Sequence, residues 1–166
     1  LTVKGGSAND TITLAQAAVV EAGAGDDTIV VSSAGAIVSG GAGKDTFDVT
    51  AAVYGSTGVV TNVKDLAAGD VIKGLTAGTA ASALGTKADV STATTLAGAL
   101  ELANGSAGST AGTFWFQYGG NTYILEDALA SGASGSFGAE DTVVQITGLF
   151  DLSNSVWGTS GLLTIA

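Results

Sequence analysis

Apolar and polar positions along the chain fall into three regimes, and each predicts a different kind of element. Over residues 1–53 large apolar side chains come in short β-branched runs, each led by a cluster of Gly, Ala and Asp. Thr11–Leu14, Thr28–Val31 and Thr46–Val49 are expected as strands, with Val19–Val20 and Ile37–Val38 as strands on the opposite side of one coil. From Val59 the chain reads VVTNVKDLAAGDVIKGL, two β-branched runs around Ala68-Gly69-Asp70, expected as a strand–turn–strand that closes one end of that coil. Ala80–Leu84 suits one helical turn stopped by Gly85. The period then changes. Ala93, Leu96, Ala97, Leu100 and Ala103 recur at i, i+3, i+4 and i+7, which predicts one amphipathic helix over residues 91–104. Asp89 or Ser91 is placed to cap it and Asn104-Gly105 to end it. After a GSAGSTAG loop (residues 105–112), TFWFQYGGNTYILE at residues 113–126 reads as a hairpin turning at Gly119-Gly120-Asn121. Its aromatic stripe fits a core face or a sugar-binding face. Thr142–Thr147 is a last strand, ended by Gly148. The fold class is mainly β: a coil over residues 1–53, and a β-rich region over residues 54–166 that caps it with one helix packed on it by Leu96 and Leu100.

The turns of the first region repeat. They read GGSANDTIT at Gly5–Thr13, AGAGDDTIV at Ala22–Val30 and GGAGKDTFD at Gly40–Asp48. Asp10, Asp27 and Asp45 are 17 and 18 residues apart, and Ile12, Ile29 and Phe47 keep the same step. Gly supplies backbone angles that other residues avoid and lets carbonyls turn toward one point. Asp adds a carboxylate there. Hard oxygens in a backbone-rich turn suit Ca²⁺, which takes about 6–8 of them. One turn cannot supply that number, but two stacked turns can, so three turns make two sites.

This pattern resembles the RTX (repeats-in-toxin) nonapeptide, G-G-x-G-x-D-x-U-x with U apolar. A step of 18 is two nonapeptides, one full coil of a parallel β-roll. The intervening nonad VSSAGAIVS at Val31–Ser39 has Val38 in the apolar position but Ala36 where Asp would stand. LAQAAVVE at Leu14–Glu21 is one residue short and has no Asp. One edge of the roll is therefore expected to carry the metal turns and the other none. Ala8 and Ala22 depart from the Gly pattern, which weakens the first site relative to the second. The resemblance implies that Asp10, Asp27 and Asp45 are Ca²⁺ ligands. It further implies that carbonyls of Gly5, Ser7 and Asn9, and of Ala22, Ala24 and Asp26, complete the shells, with Gly23 and Gly41 presenting theirs from the facing turn.

The second half is similar to the C-terminal segment of bacterial surface-layer proteins and adhesins exported by the type I route, on FWFQYGGNTYILED and FGAEDTVVQITGLFDLS. The segment from Val59 resembles an apolar-x-Asp-Phe-x-x-Gly-Asp-x-Ile pattern at Gly69, Asp70 and Ile72, with Asn62 and Val63 replacing the Asp and Phe. The likeness covers most of residues 1–152. It implies a secreted, extracellular, cell-surface protein, the type I secretion machinery as a partner, and an uncleaved C-terminal export signal that the apolar Leu162–Ala166 would suit. It also implies self-assembly into a surface lattice and contact with cell-surface polysaccharide. Secretion tails of proteases and lipases carry the same repeats, so an enzyme elsewhere in a longer parent stays open. A carbohydrate- or ice-binding module also stays open, although no regular T-x-T ladder is present.

Composition narrows the chemistry. The chain has 166 residues, no Cys, His, Met, Pro or Arg, and five Lys against fifteen acids, for a net charge of −10. Without Cys or His there is no disulfide framework and no thiol, haem or zinc chemistry. The charge disfavours nucleic acid and anionic membranes, and it suits cations. No apolar run approaches the ~20 residues of a membrane helix, so no membrane insertion is expected. No Sec-type signal peptide is visible, and a chain opening on Leu1 is expected to be a piece of something longer. No G-x-S-x-G turn occurs. The acidic pairs Asp26-Asp27, Glu126-Asp127 and Glu140-Asp141 are adjacent in sequence, so on a strand their side chains point apart. No active site is expected.

Overall fold

The computed structural model describes residues 1–52, 54, 60–75, 84, 86–105, 112–127, 141–158 and 161–166. The described chain is mainly β, with a single helix. In order the elements are β1 (Thr2–Gly6), β2 (Thr11–Leu14), β3 (Val19–Ala24), β4 (Thr28–Val31), β5 (Ile37–Ala42), β6 (Thr46–Asp48), β7 (Thr61–Val63), β8 (Val71–Lys73), α1 (Leu96–Gly105), β9 (Gly112–Tyr118), β10 (Asn121–Asp127), β11 (Thr142–Ile146), β12 (Val156–Trp157) and β13 (Leu162–Thr164). The single helical turn expected at Ala80–Leu84 and the loop at 105–112 lie largely outside the described residues, as does Glu140.

The first eight strands alternate between two sheets. β1, β3, β5 and β7 are neighbours in one, and β2, β4, β6 and β8 in the other, every pair parallel. The repeat fixes this register. Ile12, Ile29, Phe47 and Ile72 lie side by side in one sheet, and Val20, Val38 and Val63 in the other. Because strand side chains alternate between faces, these positions point between the sheets; Ile29, Phe47, Ile72, Val38 and Val63 are fully buried. Thr11, Thr28 and Thr46 align on the outer face.

The segment from Val59 departs from the expected closing role. β7 and β8 do not pair with each other. They pair with β5 and β6, so the winding continues through Lys73. The physical reason is that Val63 and Ile72 take up the apolar register of Val38 and Phe47. The sheets are extended instead by later strands. β11 runs parallel to β7, and β10 and β9 follow antiparallel. On the other sheet β13 and β12 follow β8, both antiparallel.

Described residues after 54 share the core of the first turns. Leu14, Val20, Val38 and Phe47 belong to one buried cluster with Trp115, Ile124, Val144, Trp157 and Leu163. The opposite face of β9–β11 carries Phe116, Tyr123, Leu125 and Val143, which pack with Ala99, Leu100 and Ala103 of α1. Phe116 and Tyr123 stack at 5.1 Å. β10 is thus covered on both faces, which explains its unbroken apolar run. The aromatic stripe is core: Trp115, Phe116 and Tyr123 are buried. Helix α1 begins later than the sequence suggests. Asp89 accepts from the N–H of Ser91 in a turn, and Thr95 Oγ1 accepts from the N–H of Gly98, so Thr95 caps the helix. Among the described residues no helix is long and apolar enough to cross a membrane.

Candidate metal centre

Within the first eight strands, each crossing from an odd-numbered strand to the next even-numbered one runs along the same edge of the two sheets, and each ends in an Asp. Because the strands are in register, the four Asps stand in file. Asp27 Oδ1 accepts the N–H of Asp10 at 2.8 Å, Asp45 Oδ1 that of Asp27 at 2.9 Å, and Asp70 Oδ1 that of Asp45 at 2.9 Å. Asp27, Asp45 and Asp70 are each 1% exposed. A second, exposed file runs beside it. Asn9 Oδ1 accepts the N–H of Asp26 at 2.9 Å, and Asp26 Oδ1 that of Lys44 at 2.8 Å.

Backbone carbonyls crowd the same edge. A Cβ on Gly41 would lie 1.8 Å from the Gly23 carbonyl oxygen, and one on Gly23 2.1 Å from that of Gly6. Both glycines have φ above +100°, a conformation residues with a Cβ rarely adopt. A Cβ on Gly5 would lie 2.2 Å from the Ala22 carbonyl oxygen and 2.6 Å from Asp10 Oδ2, and one on Gly40 would lie 2.2 Å from Asp45 Oδ2. The carboxylates of the first and third turns therefore reach back to the glycine at the head of their own turn. The middle turn has Ala22 at that place. There Asp27 Oδ2 is buried with no hydrogen-bond partner among the described residues.

A buried carboxylate oxygen left unpaired is costly, and stacked like charges add to the cost. Burial pushes the Asp45 carboxyl above its ordinary range. The N–H of Asp27 opposes that, and the neighbouring charges of Asp70, Asp27 and Asp65 push it further up. Burial likewise raises Asp70, against the N–H groups of Asp45 and Ala67, with the charge of Asp65 adding to the rise.

Of the eleven residues expected around the metal, the structure brings together Asp10, Asp27 and Asp45 in the inner file, Asn9 and Asp26 in the outer file, and Gly5, Ala22, Gly23 and Gly41 in the carbonyl rows. It places Ser7 exposed at the bend and Ala24 at the end of β3 opposite Ala42, without joining either to the carboxylates among the described residues. Also among the described residues, no three acidic side chains converge on one point. The acids come one per turn, so any cation here draws the rest of its oxygens from the backbone. Two residues escaped the sequence reading as members of this edge, Asp65 and Asp70. The signal for Asp70 was present, since Asp70-Val71-Ile72 repeats the Asp-x-apolar order, but it follows Asp45 by 25 residues and breaks the period. Asp65 stands at the register position of Gly40, two residues past the Val38–Val63 pair.

No protein-family model matches the chain, and no curated protein matches it.

Proposed function

We propose that the stacked turns bind Ca²⁺ as a short RTX-type β-roll, and that the chain is a calcium-stabilised, non-catalytic structural module of a secreted, surface-layer-like cell-surface protein. The observation that carries this reading is Asp27, a buried carboxylate in a file of carboxylates with one oxygen unpartnered. That oxygen, the Asp10 and Asp45 carboxylates of the same file and the carbonyls of Gly6, Ala22 and Gly23 on the same edge would supply the all-oxygen donors that Ca²⁺ prefers. One cation would lie between the first and second turns and one between the second and third. When bound, Ca²⁺ supplies charge neutralisation and a tie between turns.

The function follows from where Ca²⁺ is abundant. Where it is scarce, the acidic turns repel and the Gly-rich segments lose much conformational entropy on ordering with little return. Such a chain suits threading through the type I secretion machinery. Where Ca²⁺ is abundant, binding to the folded form alone adds about 2.7 kcal/mol per site at a hundredfold excess over Kd. Two sites then contribute roughly 5 kcal/mol, comparable to the stability of a whole small domain. Assembly into a surface lattice and contact with cell-surface polysaccharide are part of the same proposal.

Far-ultraviolet circular dichroism tests it, with and without chelator, on the natural chain and on Asp27→Ala combined with Asp45→Ala. The reading predicts a calcium-dependent gain of β signal and melting temperature in the natural chain that the double variant loses. Identical spectra and melting in all four samples would leave the proposal without support.

A further inference from the structure

We infer that Asp65 and Asp70 are positioning residues: they hold the third turn in the shape that takes a cation and bind none themselves. This rests on the calcium reading of the first three turns and adds a role to the fourth.

The fourth turn, DLAAGD at residues 65–70, occupies the register of GGAGKD at residues 40–45, but its polar atoms are used differently. Asp65 Oδ1 accepts the N–H of Gly40 at 3.0 Å, and its Oδ2 accepts the N–H of Gly41 at 3.0 Å and the hydroxyl of Ser39. Asp70 Oδ1 accepts the N–H of Asp45, and its Oδ2 accepts the N–H of Ala67 at 2.8 Å. All four oxygens of these two carboxylates are engaged by protein donors. Asp27, one turn below Asp45, keeps a buried oxygen with no partner. The same stack thus contains carboxylates satisfied by the protein and one that is not.

The outer row of oxygens also stops short of the fourth turn. Asn9 and Asp26 supply it in the first two turns, but Lys44 follows, and its aliphatic stem packs over Gly69, 3.4 to 3.6 Å from where a Cβ would sit. Among the described residues, the gap between the third and fourth turns therefore has neither an open carboxylate oxygen nor a side-chain oxygen in its outer row.

These contacts instead orient the third turn. A peptide unit is planar and trans, so fixing an N–H fixes the direction of the preceding C=O. By holding the N–H groups of Gly40 and Gly41, Asp65 sets the carbonyls of Ser39 and Gly40. By holding the N–H of Asp45, Asp70 sets the carbonyl of Lys44 and the start of the Asp45 rung. Partners that orient metal ligands in this way typically change affinity about 10–100-fold when removed.

Isothermal titration of the full chain with Ca²⁺ tests the inference on the natural sequence and on Asp65→Ala, Asp65→Asn and Asp70→Asn. The expected result is an unchanged number of ions, with one site weakened at least about tenfold in Asp65→Ala. Asp65→Asn, which keeps one acceptor oxygen, should be weakened less and guards against loss of fold in the Ala variant. Loss of one bound ion in Asp65→Asn or Asp70→Asn would make these residues ligands and overturn the inference. So would unchanged affinities accompanied only by a lower melting temperature. An absence of calcium uptake by the natural chain would be a different failure, that of the calcium reading itself.

Discussion

Replacing Asp27 with Asn should change stability in opposite directions with and without calcium. Asn keeps an oxygen for the N–H of Asp10, so the hydrogen bond that joins the first two turns survives. It removes the negative charge that sits between Asp10 and Asp45. Adjacent strands lie about 4.8 Å apart, and two like charges at that distance repel by roughly 3 kcal/mol at an effective dielectric of about 20. Asp10 is half-exposed, so its share is screened. The unpartnered Oδ2 is also replaced by a group that carries no charge. In chelator the variant should therefore gain about 2 kcal/mol, or roughly 4–8 °C in melting temperature for a chain of this size. In calcium it should lose ground, because Asp27 is a ligand of at least one proposed cation, and about 2.7 kcal/mol of linked binding per site is at stake. Scanning calorimetry of both proteins in both buffers reads the four melting temperatures. A shift of the same sign in chelator and in calcium would show that the charge of Asp27 has no cation to serve.

Gly41→Ala should destabilise the protein by at least about 2 kcal/mol in urea unfolding. The added Cβ meets the Gly23 carbonyl at 1.8 Å, and the positive φ alone costs about 1–2 kcal/mol. Leu100→Ala should cost about 2–5 kcal/mol, because Leu100 is buried with Phe116 and Leu125; a change below about 0.5 kcal/mol would mean that the helix adds nothing to the core. Asp48 gives a pH signature. Burial opposes its ionisation, but the Lys73 ammonium at 2.7 Å and the hydroxyl and N–H of Thr50 outweigh it and hold the carboxyl below its ordinary 3.8. A depressed folded-state value means that this stabilisation is present above pH 3.8 and is lost as pH falls through the lower value. Asp48→Asn should thus cost up to about 1 kcal/mol at pH 7 and progressively less as pH falls below 3.8, as read from urea unfolding over a series of pH values.

Strands β2, β4 and β6 were legible because each follows a Gly-Asp turn with a β-branched run, and the repeat fixed their mutual register. The hairpin was legible from Gly119-Gly120, whose positive φ angles make its turn. The place of β7 and β8 was not, since their pairing partners lie across a spacing of 25 residues that no local pattern announces. Residues 91–95 carried helical spacing, yet Thr95 caps the helix after them, because a side-chain oxygen there satisfies the N–H of Gly98. In the candidate site the inner file could be read from the recurrence of Asp. The roles of Asp65 and Lys44 could not, because they arise from contacts between turns rather than from a repeated position.

Anomalous diffraction from crystals grown in calcium shows directly whether ions occupy the stacked turns. Calcium peaks are expected along the edge that carries Asp10, Asp27 and Asp45, with Asp27 Oδ2 in the shell of at least one. Peaks beside Ala36 on the opposite edge, or none near these three carboxylates, would contradict it.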